Sequence, residues 1–131
     1  MNIVPIYAAL LGILFFILSI RIIGLRRSLK IGIGDSGNST IIRAMRVHSN
    51  FSEYVPLCLL LLGFVEFQGT FPIVLHILGS GLVLGRILHA YGVSQTQENF
   101  RFRVSGMALT FTCLITSCGI LVFNFFTNQI L

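Results

Sequence analysis

Four polar side chains of one chemical set stand where the chain is about to enter a lipid-soluble run. In "RVHSNFSEYVP", residues 46 to 56, Arg46, Asn50 and Glu53 lead directly into "LCLLLLGFVEF", and Arg43 lies one turn upstream. At about 100° per residue, with Arg43 at zero, Arg46 falls near 300°, Asn50 near 340° and Glu53 near 280°. The four share an arc of about 80°, whereas His48 falls near 140°, almost opposite. Two guanidinium groups, an amide and a carboxylate on one stripe are suited to holding an anionic guest. Arg46 and Glu53 are two turns apart, too far for an ideal direct pair on one helix. Asn50 bridges them, or each meets a partner on another helix, or a ligand completes the set.

The elements that must position this stripe follow from composition. The chain has 131 residues, 55% hydrophobic and 10% charged, with a mean hydropathy of +0.92. A soluble domain carries about a quarter charged residues. Four apolar stretches make the difference: Ile3 to Ile20, Tyr54 to Phe67, Phe71 to Val93 and Val104 to Leu131. A spanning helix needs about 20 residues. The second stretch reaches that length only if its helix starts near Thr40 and so includes the polar stripe. Backbone groups in lipid must be satisfied within the segment, so the expectation is an all-α membrane protein. Its four transmembrane helices form a single domain over 1–131. Val104 to Leu131 holds no charged residue, which argues against a soluble core. The first segment lacks a basic leader and runs too long for a cleaved signal peptide.

Charge sets the expected orientation. The first connector, Gly24 to Ser39, and the start of the second helix hold Arg26, Arg27, Lys30, Arg43 and Arg46 against Asp35. The third connector holds Arg101 and Arg103 against Glu98, and the second has Glu66 without a base. Positive loops stay in the cytoplasm, so both termini are expected on the non-cytoplasmic side. The net charge of +5 then reflects topology and contact with anionic lipid rather than nucleic acid.

Other helices bring cations to the depth of the stripe. Arg86 and His89, three apart, share a face of the third helix, with Tyr91 at the interface. Arg101 and Arg103 open the fourth and lie about 200° apart, so one of them is expected to point inward. These arginines face a single acid, Glu53, and the surplus calls for an anionic guest or lipid phosphate. Pro56 withdraws a backbone donor, and a kink there would open space beside the stripe.

Several motifs carry no function. "GIGDSG" matches a dinucleotide fingerprint through Gly32, Gly34 and Gly37, but no strand precedes it, and a turn is expected. Cys58, Cys113 and Cys118 lie in apolar spans and are read as small hydrophobes. His48, His76 and His89 form no metal-ligand cluster. "NST" at 38 to 40 fits a glycosylation acceptor on the wrong side of the membrane. "GLVLG" at 81 to 85 is a small-xxx-small pattern that would let helices approach closely.

"RVHSNFSEYVP" resembles the R-x-H-x-N-x-x-E signature of the membrane-associated proteins in eicosanoid and glutathione metabolism, the MAPEG family. "KIGIGDSGNSTIIRAM" and "GRILHAYG" are similar to its bacterial branch. The resemblance implies a homotrimer in a bacterial inner membrane that binds glutathione between subunits. It implies transferase or peroxidase activity on lipophilic electrophiles or hydroperoxides drawn from the bilayer. Carried over by position, Arg46, Asn50, Glu53, Tyr54 and Arg86 would contact glutathione, and the geometry adds Arg43. Arg101 or Arg103 would face the sulfur as the catalytic arginine. Tyr91 is the nearest counterpart of a tyrosine that some members place where Val93 stands here. A guanidinium beside a thiol favours the nucleophilic thiolate. The alternative is a lipid-binding or scaffolding protein of the same fold without turnover. A small exporter fits poorly, because the first helix has no acid for proton coupling.

Overall fold

The computed structural model describes residues 2–97 and 99–128, the Asn128 side chain excepted. Glu98 and the last residues of the fourth stretch, 129–131, lie outside them. The described residues form four helices: α1 (Val4–Leu29), α2 (Ser39–Phe67), α3 (Pro72–Ser94) and α4 (Phe100–Asn128). Each is long and apolar enough to cross a bilayer. Even α3, with 23 residues, is about 35 Å long against a hydrocarbon layer of about 30 Å. At 29 residues, α2 has several residues to spare, which is how it accommodates a polar first third.

Local chemistry sets the ends. Prolines open α1 and α3, where the missing N–H costs nothing. The Asn38 side chain caps α2 by accepting from the Thr40 and Ile41 amides at 3.0 and 3.3 Å, so the "NST" asparagine serves the backbone. The "GIGDSG" segment is a turn: Gly34 and Gly37 have positive φ, and the Asp35 carboxylate accepts from the Gly37 amide at 2.8 Å. One boundary differs from expectation. α1 continues past Ile20 and Gly24 to Leu29, shortening the first connector to residues 30–38. Hydropathy falls after Ile20, but Arg26 and Arg27 in the last turn favour a helix C-terminus electrostatically.

α2 contacts the three other helices, and α3 and α4 pack most extensively. Glycines make that packing possible. A Cβ on Gly106 would stand 2.5 Å from the Gly85 carbonyl oxygen, and one on Gly92 would stand 2.8 Å from the Arg103 nitrogen. "GLVLG" therefore contributes Gly85 to the interface. Gly81 faces open space, so the close approach runs through Gly85, Gly92 and Gly106. This contact fixes the start of α4, and with it Arg103, against the end of α3.

Candidate functional site

Ile42, Arg43, Arg46, Ser49, Asn50, Glu53, His89, Val93 and Arg103 line a cleft of about 410 Å³ between α2, α3 and α4. All four residues of the helix-2 stripe are among them. His48 faces the other way: its Nε2 lies 3.0 Å from Ser19 Oγ and its ring stacks on Phe15. Arg43 Nη1 donates to the Val93 carbonyl at 3.2 Å. That bond satisfies one of the carbonyls left open at the end of α3. Arg46 and Glu53 are exposed to the cleft. Among the described residues neither has a hydrogen-bond or ion-pair partner.

Arg86 lies behind the cleft wall and is 1% exposed. Its Nη2 donates to Asn50 Oδ1 at 2.7 Å, and its Nη1 donates to Thr110 Oγ1 at 3.4 Å and approaches Met107 Sδ at 3.9 Å. Thr110 in turn donates to the Gly106 carbonyl at 2.9 Å. Arg86 also sits over the Phe51 ring, 5.8 Å from its centroid, a cation–π contact. A guanidinium has only donors, so the Asn50 atom facing it must be the carbonyl oxygen. The Asn50 amide group is thereby turned away from Arg86. Asn50 thus bonds to the neighbouring helix rather than bridging Arg46 and Glu53 through its oxygen.

The other sequence-derived residues separate. Arg103 lines the cleft and Arg101 does not; Arg101 is exposed beside it, as their spacing requires. Tyr54 packs edge-to-face on Phe111, and Tyr91, 53% exposed, packs on Phe102. Neither tyrosine lines the cleft, whereas Val93 does. Pro56 borders a different space, an apolar groove shared with Leu11, Phe15 and Phe51 between α1 and α2.

Some residues could not be found from local sequence. Arg21 of α1 donates to Ser94 Oγ at the end of α3, reinforcing the wall that Arg43 also holds. Ser49 lies at about 240° on the wheel, just outside the stripe, and joins the lining. Thr110 and Met107 show no polar periodicity; their role exists only once α4 packs on α3.

The MAPEG family pattern matches residues 4–123. Over 109 residues the chain is 36% identical to the inner membrane protein YecN of Escherichia coli (strain K12), covering 83% of this chain and 82% of the relative. The YecN protein of Escherichia coli O6:H1 matches to the same extent. No solved structure matches. Four membrane-length helices, an R-x-H-x-N-x-x-E run on one wall of a polar cleft and a match along nearly the whole chain lead to one conclusion: this protein belongs to the MAPEG family.

Proposed function

We propose that the cleft binds glutathione and that the protein is a glutathione-dependent transferase or peroxidase of a bacterial inner membrane. The observation that carries this reading is the pair Arg46 and Glu53: opposite charges on one wall, open to the cleft, with no partner among the described residues. Charges at such depth persist only if paired or wetted. A zwitterionic guest with more negative than positive groups fits the lining. Arg46 and Arg43 offer donors to carboxylates, Glu53 accepts from an ammonium, and Asn50 presents its amide group under the control of Arg86. Arg103 holds a positive charge at the opposite wall, suited to steadying a thiolate. When bound, glutathione supplies the thiol nucleophile that attacks a lipophilic electrophile or hydroperoxide. Tyr54, Tyr91 and Arg101 are left with secondary roles, because the lining does not include them.

The reading extends to assembly and topology. The cleft opens at the surface of a single chain, so a neighbouring subunit of a homotrimer would complete it. The basic first connector and the start of α4 lie in the cytoplasm, and both termini lie outside. Purified protein assayed with glutathione and chlorodinitrobenzene should form the conjugate faster than buffer alone. Saturable glutathione binding with no conjugation and no peroxide reduction would instead identify a binding protein of the same fold.

A further inference from the structure

A second polar recess lies away from the cleft, where α1 ends. Ile23, Arg26, Arg27, Lys30, Ile31 and Gly32 line a pocket of about 380 Å³, a volume suited to a small ligand. Arg26, Arg27 and Lys30 put three cations on its wall, and no acid lines it. Asp35, the acid of the same connector, turns its Oδ1 to the Gly37 amide at 2.8 Å. Among the described residues no ion pair joins it to these cations.

The backbone builds this recess. The Ile31 amide donates to the Arg26 carbonyl at 3.0 Å and the Lys30 amide to the Arg27 carbonyl at 3.3 Å, which folds the connector back over the last turn of α1. Lys30 holds the left-handed conformation that closes this turn, with a φ of 55°, where glycine is the usual residue. Arg26 is fixed from two sides: Nη1 donates to the Gly32 carbonyl at 3.2 Å, and Nη2 approaches Met45 Sδ of α2 at 3.6 Å. A guanidinium has more N–H donors than these contacts use. Arg27 and Lys30 are exposed, and among the described residues neither side chain has a partner. The helix dipole accounts for bases in the last turn. It does not account for a lysine at the glycine position of the turn, lining the same recess.

The recess sits at a defined depth. At 26 residues, α1 is about 39 Å long against about 30 Å of hydrocarbon, so its basic last turn stands at the level of lipid phosphates. Ile23, one turn below and 45% exposed, continues the recess toward the acyl chains. Ile33, 94% exposed on the connector, leaves water only where the connector lies on the membrane surface. Cations with isoleucines beside them match an amphiphile, a phosphate that carries hydrocarbon, rather than free phosphate.

We propose that this recess is a binding site for the headgroup of an anionic phospholipid. Arg26 and Arg27 donate to the phosphate oxygens, Lys30 supplies a point charge, and Ile23 meets the start of an acyl chain. The bound lipid joins the end of α1 to α2 through the contact of Arg26 with Met45. The recess shares no lining residue with the glutathione cleft, so the two readings stand or fall separately.

The test uses the full chain in detergent, with phosphatidylglycerol or phosphatidylcholine added and bound lipid counted by native mass spectrometry. Phosphatidylglycerol should bind at least about tenfold more tightly. Arg27→Gln and Lys30→Gly should each lower its affinity about fivefold, as expected for one base facing an anionic lipid. The lipid-free melting temperature of Lys30→Gly should hold or rise, because glycine suits the left-handed turn. Arg101→Gln, the same loss of one exposed charge on another helix, should leave the affinity unchanged. A photoactivatable phosphatidylglycerol should label wild-type protein within residues 21–33, and glycerol 3-phosphate at equal concentration should not displace it. The proposal is overturned if phosphatidylcholine binds equally well, if Arg101→Gln costs as much as Lys30→Gly, if the label maps outside 21–33, or if glycerol 3-phosphate displaces the lipid. The wild-type mapping decides even where a variant fails to fold.

Discussion

The two ends of the helical bundle treat polar groups in opposite ways. At the end where α1 begins and α2 finishes, the Glu66 carboxylate accepts from the backbone amides of Asn2, Ile3 and Val4, the last two at 2.7 and 3.0 Å. One side chain thereby satisfies three of the donors that a helix start leaves open. Close by, Tyr7 OH lies 2.8 Å from His76 Nδ1 and 3.1 Å from Ser80 Oγ, and its ring sits where a side chain on position 79 would be. At the other end, among the described residues, Arg46 and Glu53 have no partner, and Arg86 is buried with one nitrogen unanswered. Polar groups that close on each other hold the fold; polar groups that do not are waiting for something else. The difference separates the end that holds the fold from the end where a guest is proposed to bind.

The sharpest way to break this contrast is to remove the open charges. Arg46→Ala or Glu53→Ala should weaken glutathione binding by about a hundredfold or more, the scale expected when one member of a charged hydrogen-bonded contact is deleted. Because neither side chain bonds to another described residue, the melting temperature in detergent should stay at the wild-type value. Unchanged affinity in isothermal titration would end the assignment. A large loss of stability would show the pair to be structural after all.

The glycine contact gives the next largest effect, on stability rather than binding. Gly106→Ala places a methyl group against the Gly85 carbonyl and the His89 nitrogen, both backbone atoms that cannot step aside. Overpacking of this kind costs about 1–3 kcal/mol. Thermal unfolding should shift downward accordingly, and Gly81→Ala, which meets nothing, should not move it.

Asn50→Asp sharpens the site further. The carboxylate would accept from Arg86, giving that buried cation a counter-charge, so stability should hold or rise. The amide donors would be gone from the cleft, and a carboxylate of the guest would meet a like charge. Affinity should fall about tenfold, roughly 1.4 kcal/mol, with no loss of folding. A variant that binds as well as wild type would show that Asn50 serves Arg86 alone.

How much of this was legible beforehand depends on the range of the interaction. The stripe on α2 could be read because the helical period alone brings Arg43, Arg46, Asn50 and Glu53 together, and the structure places all four on one cleft. The choice between Arg101 and Arg103 needed only the packing of α4 on α3 to decide which side faces the cleft. The Glu66 cap, the Arg21–Ser94 bond and the Tyr7–His76–Ser80 cluster join residues more than sixty positions apart, and no periodicity announces them. Cys58 and Cys113 could be read as small hydrophobes from their apolar runs, and both are buried in the core.

The smallest expected effect tests the closed end. Glu66→Gln keeps the size of the side chain but loses its charge, and the amide nitrogen that replaces one oxygen cannot accept. A carboxylate near a helix N-terminus contributes about 0.3–1 kcal/mol, and the substituted group keeps a single acceptor for three amides. Unfolding should therefore shift down by a fraction of the Gly106→Ala effect. Amide hydrogen exchange should quicken across Asn2, Ile3 and Val4, because one carbonyl oxygen replaces the two carboxylate oxygens that accept from them. Glutathione affinity should be untouched, since the cap lies at the far end of α2 from Arg46. A change in affinity would mean that the two ends of the bundle are mechanically linked through α2, and the division between a closed, structural end and an open, binding end would have to be abandoned.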